Sequence, residues 1–329
     1  MTAGAGTPKT GRRARAVAIL VVAPLLPGCA TGPLEPTRTH PAGAIVASPR
    51  LGERPYGVAV SGAGVVLVTR GDAATVSLAR LPDPAFTDAV AVRLVPTDVA
   101  FNRAGTRAFV TNQHSQQVGV VDVARGLQVD SIVFPGDPFR VLVSADDRTL
   151  FVTTNTGYLY RVDLATKRVV AQLLFSAPAN GLALDAGGAR LYASTIDGTV
   201  AEISTASTTW LRTFPVGGMA QGLAVSPDGA ELYVADAAGG RLMVWSLASG
   251  QPLDSLPLGG LPFDVRMTPD GAQIYVGVRT AGKVLVFDRE TRAPRLTLPT
   301  GGAPRRIAFD RTGSVAVVAN EAGWVDFIR

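Results

Sequence analysis

Apolar and polar residues alternate along most of the chain in short runs broken by Gly, Pro, Asp and Asn, and one such run keeps returning. It reads "GVAVS" from Gly57, "DVAFN" from Asp98, "RVLVS" from Arg140, "GLALD" from Gly181, "GLAVS" from Gly222, "DVRMT" from Asp264 and "RIAFD" from Arg306. The second residues of the runs, Val58, Val99, Val141, Leu182, Leu223, Val265 and Ile307, are 41, 42, 41, 41, 42 and 42 positions apart. A fixed period with this little drift marks a repeat architecture. Within one repeat the pattern predicts four strands. From Gly222 these are "GLAVS", "ELYVAD", "RLMVWSL" and "PLDSLPL", separated by the turn sequences "PDGA", "AAGG" and "ASGQ".

A four-stranded unit with two apolar faces hides them only against units like itself, and seven units arranged radially do so while closing on themselves. The fold expected is therefore all-β: a seven-bladed β-propeller with four antiparallel strands per blade, over residues 44–329. The seventh repeat supplies only three strands, ending in "WVDFIR" at 324–329. Its missing fourth strand is available at the other end of the repeat region as "AIVASPRL", 44–51. An N-terminal strand completing the C-terminal blade ties the ring shut.

The ends of the second strands, "AFVTN" (108–112), "FVTTN" (151–155), "LYVAD" (232–236) and "VVAN" (317–320), resemble the YVTN β-propeller repeats of the lactonase-like superfamily. "LYVAD" follows the turn "SPDG" (226–229), and the second strand of the sixth repeat follows its close variant "TPDG" (268–271). The resemblance implies the propeller fold. For function it implies little, since such a fold carries enzymes, binding proteins and subunits of larger complexes alike.

The first 28 residues do not belong to the repeat. Lys9, Arg12, Arg13 and Arg15 precede the apolar run "AVAILVVAPLLPG" (16–28), which is too short and too broken by Pro to span a bilayer and reads as an export signal. It ends at Cys29, the only cysteine, and "LPGC" (26–29) resembles the lipobox of bacterial lipoproteins, which implies cleavage before Cys29 and its lipidation. Residues 29–43, rich in Pro, Thr and Gly, predict a flexible tether. Ala30 is not the aspartate tied to inner-membrane retention, so the expected location is the periplasmic face of the outer membrane. Of the net charge of +5, the four basic residues of the signal account for +4, which leaves the mature chain near +1. That argues against a general attraction for nucleic acid and makes single-stranded nucleic-acid binding the weakest of the alternatives.

Motifs for a zinc protease, a P-loop, a nucleophile elbow or an EF-hand do not occur, and no cofactor is implied. A lactone hydrolase needs an acid or imidazole to move a proton and cations to hold an anion. The two histidines are His40, in the tether, and His114, in the loop "NQHSQQ" without an adjacent carboxylate. Asn112, Asn155, Asp236 and Asn320 follow second strands and offer either a ring of ligands or, with their short side chains, local turn bonds; no metal site is assigned to them. The sharper asymmetry lies at the start of the innermost strand, where the repeats read Gly57, Asp98, Arg140, Gly181, Gly222, Asp264 and Arg306. Opposite charges fall on neighbouring blades twice. They serve either as ion pairs that fix the ring register or, with Arg305, as forked donors to a carboxylate or phosphate near the channel mouth. Tyr56, Phe139 and Phe263 precede these positions, and Arg70 and Arg279 follow second strands on the same face. These ten residues form the candidate ligand face of a binding scaffold for a protein or small molecule, anchored to a membrane by lipid. A lactone hydrolase is the alternative, and no catalytic residue is assigned.

Overall fold

The computed structural model describes Met1, Pro41 and residues 43–329; the predicted export signal, Cys29 and nearly all of the tether, with His40, lie outside the described residues. Residues 43–329 form seven four-stranded antiparallel sheets, six of them simple meanders. Blades 1 to 6 start with the innermost strands β2 (Pro55–Val60), β6 (Pro96–Phe101), β10 (Pro138–Val143), β14 (Ala179–Leu184), β18 (Ala220–Val225) and β22 (Pro262–Met267). Blade 7 consists of β26 (Pro304–Phe309), β27 (Ala316–Asn320), β28 (Trp324–Ile328) and β1 (Ile45–Ala47), so the chain's N-terminal strand completes its last sheet as the repeat count requires.

The seam is sealed beyond the three residues of β1. Ala44 and Arg329 exchange backbone hydrogen bonds at 2.8 and 2.9 Å, and the Val325 N–H donates to Pro49 O at 3.1 Å. The Ser48 hydroxyl adds a bond to Asp326 Oδ1 at 2.5 Å.

Each of the seven apolar clusters is shared between two neighbouring blades. One joins the first blade to the second: Leu67, Val76 and Leu78 pack with Val99, Val110 and Val121. Another crosses the seam, with Val58, Val66 and Val68 against Val317, Val325 and Phe327. This is the burial that no single sheet achieves, and it explains why the alternation runs on both faces of every inner strand.

All seven innermost strands carry a register shift at the same place. Pro138 faces Thr154 and Arg140 faces Thr153, which leaves Phe139 as an extra residue; the same shift sets out Thr97, Asn180, Phe263 and Arg305, and the pairs Tyr56–Gly57 and Gln221–Gly222. A bulge of this kind re-aims a side chain that the regular pleat would send elsewhere. Proline stands at the start of five of these strands, where its missing N–H does not interrupt the ladder.

Candidate functional site

The bulges gather one residue per blade at the ring axis. Tyr56 from blade 1 meets Phe139 from blade 3 edge to face at 6.0 Å between centroids, and Phe263 from blade 6 at 6.4 Å. The Arg305 guanidinium from blade 7 lies 4.0 Å from the Tyr56 ring centroid and 3.8 Å from that of Phe263, and it bonds the Tyr56 hydroxyl. Asn180 donates to Gln221 Oε1 at 3.0 Å on the other side. Aromatic pairs and stacked guanidinium of this geometry add to the apolar burial that holds them. The three aromatic residues of the candidate face therefore pack together across the axis and plug one end of the channel.

Arg70 and Arg279 share that face with Arg305, but each has a carboxylate. Arg70 pairs with Glu53, while Arg279 Nε and Arg305 Nη1 reach Glu321 Oε2 at 3.1 and 3.3 Å. Burial holds the Arg305 guanidinium below its usual range, against the upward pull of Tyr56 and Glu321. Glu321 is absent from the candidates read in the sequence, although an acid directly after "VVAN" was there to be seen.

Beneath the plug lie both predicted charge pairs. Arg140 Nη1 is 2.9 Å from Asp98 Oδ1, with both side chains 5% exposed, and Arg306 Nη1 is 3.3 Å from Asp264 Oδ1, with side chains 2% and 0% exposed. Each aspartate also accepts a backbone N–H from the next blade: Val141 to Asp98 Oδ2 and Ile307 to Asp264 Oδ2, both at 3.0 Å. Each carboxylate is thus a clamp on the innermost strand of its neighbour. Arg306 goes further and donates across the ring to Asn180 O at 3.2 Å. The pairs were expected near a mouth; the bulge residues above them instead make this level an interior.

From Asp98 and Arg140 a cavity of about 440 Å³ runs along the innermost strands to Val60, Phe101, Val143, Met267 and Phe309. It opens at the end away from the plug. In six of the seven innermost strands the last two residues are partly exposed while the residues at the clamp level are buried or nearly so. Arg266 also lines it, with its side chain 29% exposed and its Nε donating to Ile307 O at 3.0 Å. Sequence reasoning passed over Arg266, although in the repeat register its counterparts are Ala59, Ala100, Leu142, Ala183, Ala224 and Ala308. A residue that breaks such a column is where a specific role is to be sought.

The Asx column serves turns. Asn320 Oδ1 accepts from Ala303 N at 2.8 Å and Ala322 N at 3.2 Å, and Asp236 Oδ1 accepts from Gly239 N and Met219 N. Asn112 Oδ1 accepts from Arg93 N at 3.3 Å, whereas Asn155 stands one position beyond the register, which Thr154 occupies. Among the described residues no group of three or more His, Cys, Asp or Glu is placed to hold a metal ion. His114 is exposed in a short helical turn, Gln113–Ser115. Two further acids, Glu202 buried and Glu231 partly buried, lie in clefts between blades. Glu202 takes Arg190 and Arg212, and Glu231 takes Arg289 at 3.0 Å and Arg292 at 2.8 Å.

Fold and axis together define a seven-bladed β-propeller with one plugged end and one open, cation-lined channel. No family model matches the chain, and no curated protein matches it in sequence. Solved structures do match. A chain of Kuenenia stuttgartiensis hydrazine synthase is similar with a TM-score of 0.76 and 20% identity, over 86% of this chain and 97% of that one. A chain of a mitotic checkpoint complex is similar with a TM-score of 0.79 and 14% identity, over 96% of this chain and 98% of that one. At these identities the likeness is one of fold.

Proposed function

We propose that this chain is an exported, lipid-anchored binding scaffold in which a rigid ring offers its channel and its outer surface to ligands. The observation that carries the reading is the use made of the axial carboxylates. A hydrolase needs an acid or imidazole free to take a proton, and Asp98 and Asp264 are each committed to a guanidinium and a backbone N–H of the next blade. Groups spent on holding the frame make a stiff pocket rather than a proton relay. Export and anchoring rest on the basic head, the apolar run and "LPGC" ahead of residue 29. Attachment is durable if Cys29 carries more than one acyl chain, as in the lipoproteins its surroundings resemble.

The lactone hydrolase is the reading to beat. Full-length protein, solubilised from membranes, is expected to leave a panel of aliphatic and sugar lactones unhydrolysed; turnover that is lost in Arg140→Ala or Arg306→Ala, with the fold retained, would overturn the scaffold reading. Mass spectrometry of the same preparation is expected to show a chain that begins at an acylated Cys29, and an intact residue 1–28 segment would remove the anchor.

A second surface favours a protein partner. The outermost strands β9 (Leu127–Val133), β13 (Arg168–Leu174) and β17 (Thr209–Pro215) expose Leu127, Val133, Val170, Leu174, Trp210 and Leu211 to solvent on sheet edges that pair with no other strand. In blade 6 the exposed positions of β25 (Pro294–Leu298) are Pro294, Arg295 and Thr297. The outermost strands of blades 5 and 7 each expose one large apolar residue, Leu253 and Val46, whereas three successive blades with several each form the kind of surface that protein partners cover.

A further inference from the structure

Along the ring axis the wall of the channel is largely backbone. Successive residues of an innermost strand send their side chains to opposite sides: Val58 and Ala59 pack in the two clusters that flank blade 1, Val99 and Ala100 in those of blade 2, and Val141 and Leu142 in those of blade 3. Each innermost strand is also the edge of its sheet, so the peptide N–H and C=O groups on its axial side meet no strand. The protein uses some of them itself. The Val141 and Ile307 N–H groups donate to Asp98 and Asp264, and Ile307 O accepts from Arg266. The cavity of about 440 Å³ is thus bounded by hydrogen-bonding groups, with Asp98, Arg140 and Arg266 set among them.

Three guanidiniums, of Arg140, Arg266 and Arg306, face two carboxylates, of Asp98 and Asp264, so one positive charge is left over. Arg140 is 4% exposed, and its Nε and that of Arg306 are buried without a hydrogen-bond partner. Burial, with the like charge of Arg306, draws the Arg140 guanidinium down to about 10 against the pull of Asp98. A buried surplus cation is costly unless an anion comes to it. Arg266 is placed to receive one. Both of its protein contacts run through Nε, to Ile307 O at 3.0 Å and to Asp264 Oδ2 at 3.5 Å, which leaves its two terminal nitrogens for a ligand. A planar fork of this kind suits a carboxylate.

A ligand that answers both features carries one negative charge and a hydroxyl group. A phosphate dianion would overcompensate one surplus charge beside two carboxylates, and a hydrocarbon body would leave the peptide groups of the wall without partners. We propose that the channel binds a short hydroxylated monocarboxylate of the size of glycolate or lactate, its carboxylate on the terminal nitrogens of Arg266 and its hydroxyl on the peptide edge of an innermost strand, with Arg140 adding its charge at the clamp level. This rests on the reading of the chain as a binding protein and names the ligand class of its channel.

Calorimetric titration of the full-length protein at constant ionic strength with glycolate, glycolamide, acetate, chloride and inorganic phosphate tests it. Glycolate is expected to bind and to raise the melting temperature. Its neutral counterpart glycolamide, like chloride and phosphate, is expected to bind roughly tenfold more weakly or worse, and acetate, which lacks the hydroxyl, roughly threefold more weakly. Arg266→Gln is expected to weaken glycolate roughly tenfold while the melting temperature of the ligand-free protein stays level or rises, because a surplus cation has gone. Arg266→Lys, which keeps the charge without the fork, is expected to recover only part of the affinity. Chloride or phosphate bound as tightly as glycolate would reduce the site to a general cation and overturn the hydroxycarboxylate assignment, as would acetate bound equally well. No glycolate binding to the folded wild type, or binding that Arg266→Gln leaves intact, would overturn the site and leave the scaffold reading standing. Turnover of lactones would overturn the reading beneath it.

Discussion

Gly222 and Asp264 occupy the same place in successive blades, and the space between those blades explains why one of them is glycine. A Cβ added to Gly222 would stand 2.6 Å from Asp264 Oδ1, 2.7 Å from its Cα and 2.8 Å from Phe263 O, and one on Gly57 would stand 2.8 Å from both Asp98 Cα and Thr97 O. The backbone of the next blade comes this close at both glycines, and at Gly222 the Asp264 carboxylate itself fills the space a Cβ would need. Gly222→Ala is expected to cost about 1–3 kcal/mol, as overpacking against unyielding backbone does, read as a lower urea midpoint; an unchanged midpoint would show that the blades can spread. The clamps themselves carry more. Asp98→Ala strands a buried Arg140 beside Arg306, and breaking a buried pair from one side costs about 3–5 kcal/mol. Adding Arg140→Met is expected to recover part of that loss, and a double variant no more stable than Asp98→Ala would mean that the Val141 N–H bond, not the ion pair, is the clamp.

Strands and turns were largely legible in the alternation: for the fifth repeat the expected segments correspond to β18, β19 (Glu231–Asp236), β20 (Arg241–Ser246) and β21 (Pro252–Pro257), and residues 44–51 do close the last sheet. The bulges were not legible, because an extra residue in one strand leaves the apolar period of its neighbours unchanged and shows only in pairing. That single missed feature turned an expected mouth into a plug, since it is the bulge that aims Tyr56, Phe139 and Phe263 at the axis. Missing Arg266 has a different cause: it sits inside an apolar run, where attention to the charged starts of the runs passes over it. The strand that pairs with the closing one, β28, has its own titration at Asp326. Burial raises the Asp326 carboxyl above its ordinary value of 3.8, against hydrogen bonds from Ser48, Asn320 and Trp324. The folded seam therefore holds its proton to higher pH than the unfolded chain, so this contribution is complete below the unfolded value and is lost as pH rises through the folded one. In scanning calorimetry the melting temperature of Asp326→Asn is expected to gain on that of the wild type as pH is raised from about 3.5 to 7. A difference that stays constant over that range would show that Asp326 titrates as a free acid.

Because β1 joins blade 7, the chain enters and leaves the ring at one blade, and Ala44 is bonded to Arg329 there. Blades 6 and 1 flank that point. The apolar outer strands belong to blades 2, 3 and 4, which ring order places away from it. The proposed protein partner thus meets the apolar arc of blades 2, 3 and 4. A photo-crosslinking residue at position 170 or 211 is accordingly expected to trap one defined protein in cells, while the same residue at position 295 in β25 traps little. Val170→Lys with Leu174→Lys should erase the product formed through position 211 yet shift stability by no more than about 0.5 kcal/mol each, as exposed sites do. Equal crosslinking from position 295, or a product indifferent to the two lysines, would place the partner elsewhere and return the arc to the ordinary apolar share of a protein surface.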